Sequence, residues 1–283
     1  MSEYSELPWF YAGLMAYVAA TFLATWGVVR TKGQVLAAGE AMRGHERLVL
    51  SLVVAGVLLL TMALTERWLR IGHGPFVNLF ELLMSQLFSL GLIFSIAYWR
   101  LPQIRPSAFV VLALMWVLGV WAVSLDAAGG PLPPTYYNSW LWAHVGFGKV
   151  FLSFCLIGAG LAGVILLRAN DYGARLLAHA PDDAVLDNLA WRFMMGAFIF
   201  HTLMLMGGAV WAQDAWGRYW AWDALETSSF LNWLMLGAAI HARVSYRVPQ
   251  RVGAGIIFVI FVFAFFTYFG TPFYSIAAHK GVI

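Results

Sequence analysis

Eight stretches of roughly twenty mostly apolar residues divide this chain, and a stretch of that length is what crosses a bilayer as a helix. They run over residues 9–29, 48–65, 77–99, 107–125, 140–167, 191–212, 226–243 and 253–272. Backbone polar groups in hydrocarbon must pair within the protein, which a helix does alone and an open strand does not. The pattern therefore predicts an all-α, polytopic membrane protein of about eight transmembrane helices, in one domain over 1–283. Composition agrees: 61% of the residues are hydrophobic and 11% are charged, against about 25% charged in soluble domains. That balance excludes a soluble globular chain and a disordered one.

Lys and Arg orient the spans. One set of connections carries twelve of them, including Arg30, Arg43, Arg105, Arg175 and Arg247. The other set carries four: Arg67, Arg70, Arg218 and Lys280. The richer set is expected in the cytoplasm, which puts both termini outside. The longest cytoplasmic connection, 168–190, is expected to hold a short surface helix. The acidic start MSEYSEL carries no basic region or cleavage pattern, so no cleaved signal peptide is expected. No run of five basic residues occurs, so nucleic acid is not an expected partner. Cys155 is the sole cysteine, which excludes a disulfide or CxxC chemistry within the chain.

Aromatic residues make up 16% of the chain, and the segment 211–227, WAQDAWGRYWAWDALET, concentrates them. It reads as an external loop holding Trp211, Trp216, Trp220 and Trp222, punctuated by Gly217 and Asp223. An interfacial aromatic belt is one reading. The crowding of four Trp into one connection favours another, a shelf for a large, flat, apolar ligand. Asp223 and Glu226 also fit a capping box at the start of the following helix.

Seven histidines are distributed over the chain. His45 and His179 sit among charged residues and read as solvated surface groups. His144 and His279 fall on the same side as the Trp-rich segment. Two imidazoles on one side of a flat aromatic pocket form an arrangement that axial ligation of haem iron would use, although either alone reads as a polar anchor. His241 lies about 22 Å below that loop at 1.5 Å per residue, where it marks the inner interface or serves a function. His201, near the middle of its span, reads as an interhelical hydrogen bond. Glu81, three residues after Asn78, is expected to pair with Arg67, Arg70 or Lys149, or to face a polar cavity. Lys149 is expected to snorkel outward.

The block GAVWAQDAWGRYWAWDALET, with LNWL and IHAR after it, resembles the WWD signature of haem-handling proteins. Together with GPFVNLFELLMS, WLWAHVGFGKVFLSF and LDNLAWR, it is similar to the CcsA/ResC-type cytochrome c biogenesis proteins of System II. The resemblance runs from about residue 72 onward. It implies a bacterial cytoplasmic or thylakoid membrane, with the Trp-rich loop on the external side. It further implies that His144 and His279 are external ligands to the iron of haem b, and that His241 is a membrane-embedded one. Trp216, Gly217, Trp220, Trp222 and Asp223 match the WWD motif, with Trp211 beside it. DALET stands where the family has DPKET, and IAAHKGVI departs from the family's usual surroundings of the second external histidine.

The family's role is to export haem and, with a CcsB/ResB-type partner, present it for thioether attachment to CXXCH motifs of apocytochrome c. A thioredoxin-like protein would reduce the substrate thiols. The resemblance thus implies a subunit of a cytochrome c synthase. A CcmC-type haem chaperone without ligase activity and a membrane b-type redox subunit are the competing readings.

Overall fold

The computed structural model describes residues 4–32, 42–178 and 180–273. These residues form nine α-helices and no strand: α1 (Leu7–Thr31), α2 (Gly44–Ile71), α3 (Leu79–Arg100), α4 (Ala108–Val123), α5 (Ser139–Leu167), α6 (Asp171–Leu176), α7 (Asp183–Trp216), α8 (Ala224–Ser245) and α9 (Gln250–Phe265). Short 3-10 turns at Pro102–Ser107 and Pro134–Tyr136 precede α4 and α5, and a π-helical turn, Phe266–Gly270, extends α9. Among the described residues, seven helices are long and apolar enough to cross a membrane. The remaining long helix, α8, has the length at 22 residues, but Glu226, Asn232, His241 and Arg243 make it more polar. The expected short surface helix is α6.

Local chemistry sets the helix ends. Asn78, Asn138, Asn170 and Asp223 cap α3, α5, α6 and α8 by accepting a backbone N–H of the first turn. Pro102 ends α3, because proline has no N–H to continue the ladder. Gly217 closes α7 at φ 73°, a left-handed conformation that costs a residue with a Cβ.

The bundle is built around α5, 78% of whose most apolar window lies inside the protein. α5 packs chiefly on α7 and α9, α1 on α2, and α3 against α2, α4 and α5. Phe94, Leu112, Met115, Phe151 and Leu156 are among the fully enclosed side chains of the core. Phe22, Leu58, Val120, Ile199 and Met206 project outward, as expected of surfaces that face lipid. α7 has 34 residues, so it runs about 51 Å at 1.5 Å per residue. That exceeds a hydrocarbon core of about 30 Å, so the ends of α7 extend past it.

Buried ion pairs fasten both ends of the bundle. At one end, Arg67 is fully enclosed and bonds Glu6 at 2.8 Å, Glu81 at 2.7 Å and the Ala127 carbonyl at 2.6 Å. Arg70 adds a second bond to Glu6. Glu81 thus takes Arg67, one of its expected partners, and its other oxygen accepts the Val77 N–H at 2.7 Å. At the opposite end, Arg105 pairs with Glu46, and Arg243 bonds Asp187 at 2.6 Å.

Candidate functional site

The Glu81–Val77 contact holds the segment between α2 and α3 against the bundle, and there Phe76 and Val77 form one wall of a cavity of about 310 Å³. Small-molecule sites typically occupy about 300–1,000 Å³. His144 and Lys149 of α5 contribute another wall, with Met204, Gly208, Trp211 and Trp216 of α7 facing it. Trp220, Glu226 and Ser229 enclose one side, and Tyr268 and Phe269 of the π-helical turn enclose another.

His144 is the most constrained polar group here. Its Nδ1 lies 2.8 Å from the Met204 carbonyl oxygen. A carbonyl only accepts, so Nδ1 carries the donated proton, and in the neutral form of the ring that tautomer puts the lone pair on Nε2. Histidines that bind metals commonly have this second bond, which fixes tautomer and ring orientation. The imidazole stacks on Trp211 at 6.1 Å and 24°. Trp211 is held in turn by its Nε1–H, which donates to the Thr135 carbonyl at 2.9 Å. Trp211 also meets Trp216 edge-on at 4.9 Å and Tyr136 at 5.9 Å. Burial pushes the Tyr136 phenol above its ordinary pKa. Gly208 makes room for the imidazole: a Cβ there would lie 2.6 Å from Nδ1 of His144.

The Trp-rich segment is only partly a loop. Trp211 to Trp216 belong to the last turns of α7 and Ala224 to Thr227 to the first turn of α8, leaving Gly217 to Asp223 as the connection. The apolar face of α7 continues past the polar Gln213 and Asp214, and the first signal strong enough to end the helix is Gly217. Trp211, Trp216 and Trp220 line the cavity. Trp222 does not; it is 65% exposed, adopts φ 58°, and packs on Trp220 and Phe230. Asp223 caps α8 through the Glu226 N–H at 2.8 Å, and the Glu226 carboxylate accepts the Ala221 N–H at 2.6 Å.

The other sequence candidates are dispersed. His241 is exposed on α8, on the stripe shared with Leu231, Leu234 and Ala238. His279 and His179 lie outside the described residues. His73 bridges the Gly74 and Gly130 carbonyls. Among the described residues His201 makes no interhelical hydrogen bond: it is fully enclosed, stacked on Phe151 at 4.1 Å, with neither ring nitrogen bonded. The polar groups near that level pair elsewhere; Thr202 accepts from Trp233 Nε1 at 2.9 Å. Lys149 turns into the cavity wall rather than outward, and its Nζ donates to Ser85 Oγ at 2.8 Å. Phe76, Tyr136, Gln86, Met204 and Tyr268 line the cavity without having stood out as candidates. The one legible hint among them was Gln86, a polar amide in the middle of a mostly apolar span.

Fold and site together define a polytopic helical membrane protein with a histidine set in an aromatic-walled cavity at one end of the bundle. Residues 76–279 match the family model described as cytochrome c assembly protein, and the chain belongs to that family. It is 32% identical to the cytochrome c biogenesis protein CcsA of Synechococcus sp. (strain RCC307), over 95% of this chain and 93% of that one. It is 30% identical to CcsA of a strain of Prochlorococcus marinus, over 83% of this chain and 84% of that one. With CcsA of Guillardia theta the identity is 28%, over 80% and 83%. Among solved structures, cytochrome c haem lyase CcmF shares the fold at a TM-score of 0.64 and 16% identity. The alignment covers 95% of this chain and 47% of the lyase, so the chain spans about half of that larger protein.

Proposed function

We propose that this protein binds haem in the aromatic cavity and, with a partner chain of the CcsB/ResB type, presents it for covalent attachment to apocytochrome c. The observation that carries the reading is His144: an imidazole with its Nδ1 tied to the Met204 carbonyl, in the wall of a Trp-lined cavity. With Nδ1 donating to that carbonyl, Nε2 is the nitrogen that would ligate iron. Trp211, Trp216 and Trp220 offer area and stacking to the flat macrocycle. Attachment itself adds a CXXCH thiol across a haem vinyl group: sulfur bonds one vinyl carbon and hydrogen goes to the other. The reactive groups belong to haem and apocytochrome, and the protein supplies position.

In this reading the cavity end of the bundle faces the external side, and His279 supplies the second external ligand. His241 serves haem in transit. Its place on the exposed face of α8 suits ligation shared with a second chain, because a side chain turned out of the bundle meets its opposite ligand outside it. The same observation disfavours a b-type redox subunit, since His201 is enclosed against Phe151 while His241 is turned outward.

The test is the visible spectrum of the protein purified with its partner. His144→Ala should lower bound haem and loosen its axial spectrum, with partial rescue by added imidazole. An unchanged spectrum together with unchanged cytochrome maturation would refute the assignment. His241→Ala should leave the outer site poorly filled while His144 and His279 remain intact.

A further inference from the structure

Lys149 stands in the cavity wall on α5, five residues beyond His144. The separation along the helix axis is about 7–8 Å at 1.5 Å per residue. Its ammonium donates to Ser85 Oγ on α3, and among the described residues it forms no ion pair. Arg67 and Arg105, buried among the same helices, each hold a carboxylate. A cation at membrane depth is costly, and such cations mark sites where a counter-ion or a substrate is met.

The residue after Ser85 repeats the pattern. Gln86 lines the same cavity, is 4% exposed, and its Nε2 has no hydrogen-bond partner among the described residues. A buried N–H without an acceptor bears its full desolvation cost. The other titratable groups in the cavity wall are His144, Tyr136, Tyr219, Tyr268 and Glu226. Of these only Glu226 is a carboxylate, and one of its oxygens is engaged by the Ala221 N–H. The α3–α5 side of the cavity therefore presents a cation and an amide donor, whereas Trp211, Trp216 and Trp220 give the α7 side an aromatic surface. A flat apolar guest with a carboxylate on one edge fits both, since an anion accepts charge-assisted bonds from the two donors.

We propose that Lys149 and Gln86 bind a propionate carboxylate of the tetrapyrrole and so decide which edge of the ring enters the cavity. This rests on the cavity being the haem site. On protohaem both propionates occupy one edge and both vinyl groups the opposite edge. Iron at His144 with a propionate at Lys149 turns the vinyl edge away from α3 and leaves it for the incoming thiol. The axial separation of His144 and Lys149 is on the scale of the distance from a porphyrin's centre to its carboxylates.

The full chain in detergent micelles is titrated with iron protoporphyrin IX and, separately, with its dimethyl ester, following the Soret band. The free acid should bind the wild type at least about tenfold more tightly than the ester. Lys149→Met should abolish that preference, Lys149→Arg should keep it, and Gln86→Leu should reduce it in part. The ratio is read within each variant; should Lys149→Met fail to fold, Lys149→Ala and Gln86→Leu carry the same comparison. Equal affinity of acid and ester for the wild type, or a preference that survives loss of the lysine, overturns the inference and leaves the cavity as the haem site. Binding of neither compound to the wild type overturns the haem site and the inference with it.

Discussion

His144 on α5 and Met204 on α7 are joined by a 2.8 Å hydrogen bond from imidazole Nδ1 to a backbone carbonyl. The acceptor lies inside a transmembrane helix, where carbonyls are normally occupied by the helix ladder alone. The tautomer of the imidazole is therefore set by the packing of α5 on α7, and its position by that packing together with the Trp211 ring. Small changes at that helix contact should act on the site as strongly as changes within it.

Gly208→Ala is the direct case. A methyl group there would lie 2.6 Å from Nδ1 of His144, too close for the ring to stay. The helix itself gains slightly from alanine. Haem retention should fall nearly as far as in His144→Ala, with the protein still inserted and monodisperse by size-exclusion chromatography. Retention at the wild-type level would mean that the His144–Met204 bond does not position the ligand.

The tryptophans of the segment should separate into two groups. Trp216 and Trp220 line the cavity, whereas Trp222 is exposed and packs on Trp220 and Phe230. Haem per mole of folded protein should drop several-fold for Trp216→Ala and Trp220→Ala, a loss of about 1–2 kcal/mol of stacking and buried area. Trp222→Gly should retain more haem, since glycine also accepts the φ of 58° found there. Equal losses at all three positions would count against this division.

Acid should loosen the end of the bundle next to the cavity. Burial raises the Glu6 pKa, but hydrogen bonds from Arg70 and Arg67 more than offset this, and the group sits below its ordinary value. A carboxylate lowered by folding contributes its full stability above its unfolded value, about 4.3. That contribution is lost as pH falls through the lower, folded value. Thermal unfolding followed between about pH 6 and about pH 3 should show this limb, and Glu6→Gln should flatten it. Arg67→Leu should be harsher at neutral pH, costing about 3–5 kcal/mol, because it leaves the buried Glu81 without its cation and Glu6 with Arg70 alone. A pH profile identical in wild type and Glu6→Gln would show that another group governs the transition.

His201→Leu should leave the fold as stable as the wild type or make it more so. Neither nitrogen of this enclosed ring has a partner among the described residues, so an apolar side chain removes a desolvation cost without breaking a bond. A clear drop in the unfolding temperature would instead show that the imidazole is bonded in the membrane-inserted protein.

The spans, the all-α class and the Trp-rich segment are legible in the order of residues. Length and apolarity suffice for a helix in hydrocarbon, and the run of Trp, Gly217 and Asp223 needs no folding to be noticed. Glu81 can be assigned candidate partners because a carboxylate near several arginines at one membrane depth has few alternatives. Other features depend on helix rotation, which the apolar pattern of a membrane span does not encode: side chains facing lipid and side chains facing the core are alike in polarity. That is why Lys149, expected to reach outward, enters the cavity wall, and why His201, expected to bond a neighbour, stacks on Phe151. It is also why Trp222, indistinguishable in sequence from Trp220, stands outside the cavity that Trp220 lines. Residue order alone thus sets the medium, the elements and the chemistry on offer. Which of those groups meet depends on the packing of α5 on α7 and on the turn at Gly217, because only a fixed rotation of each helix brings residues distant in the chain around one space.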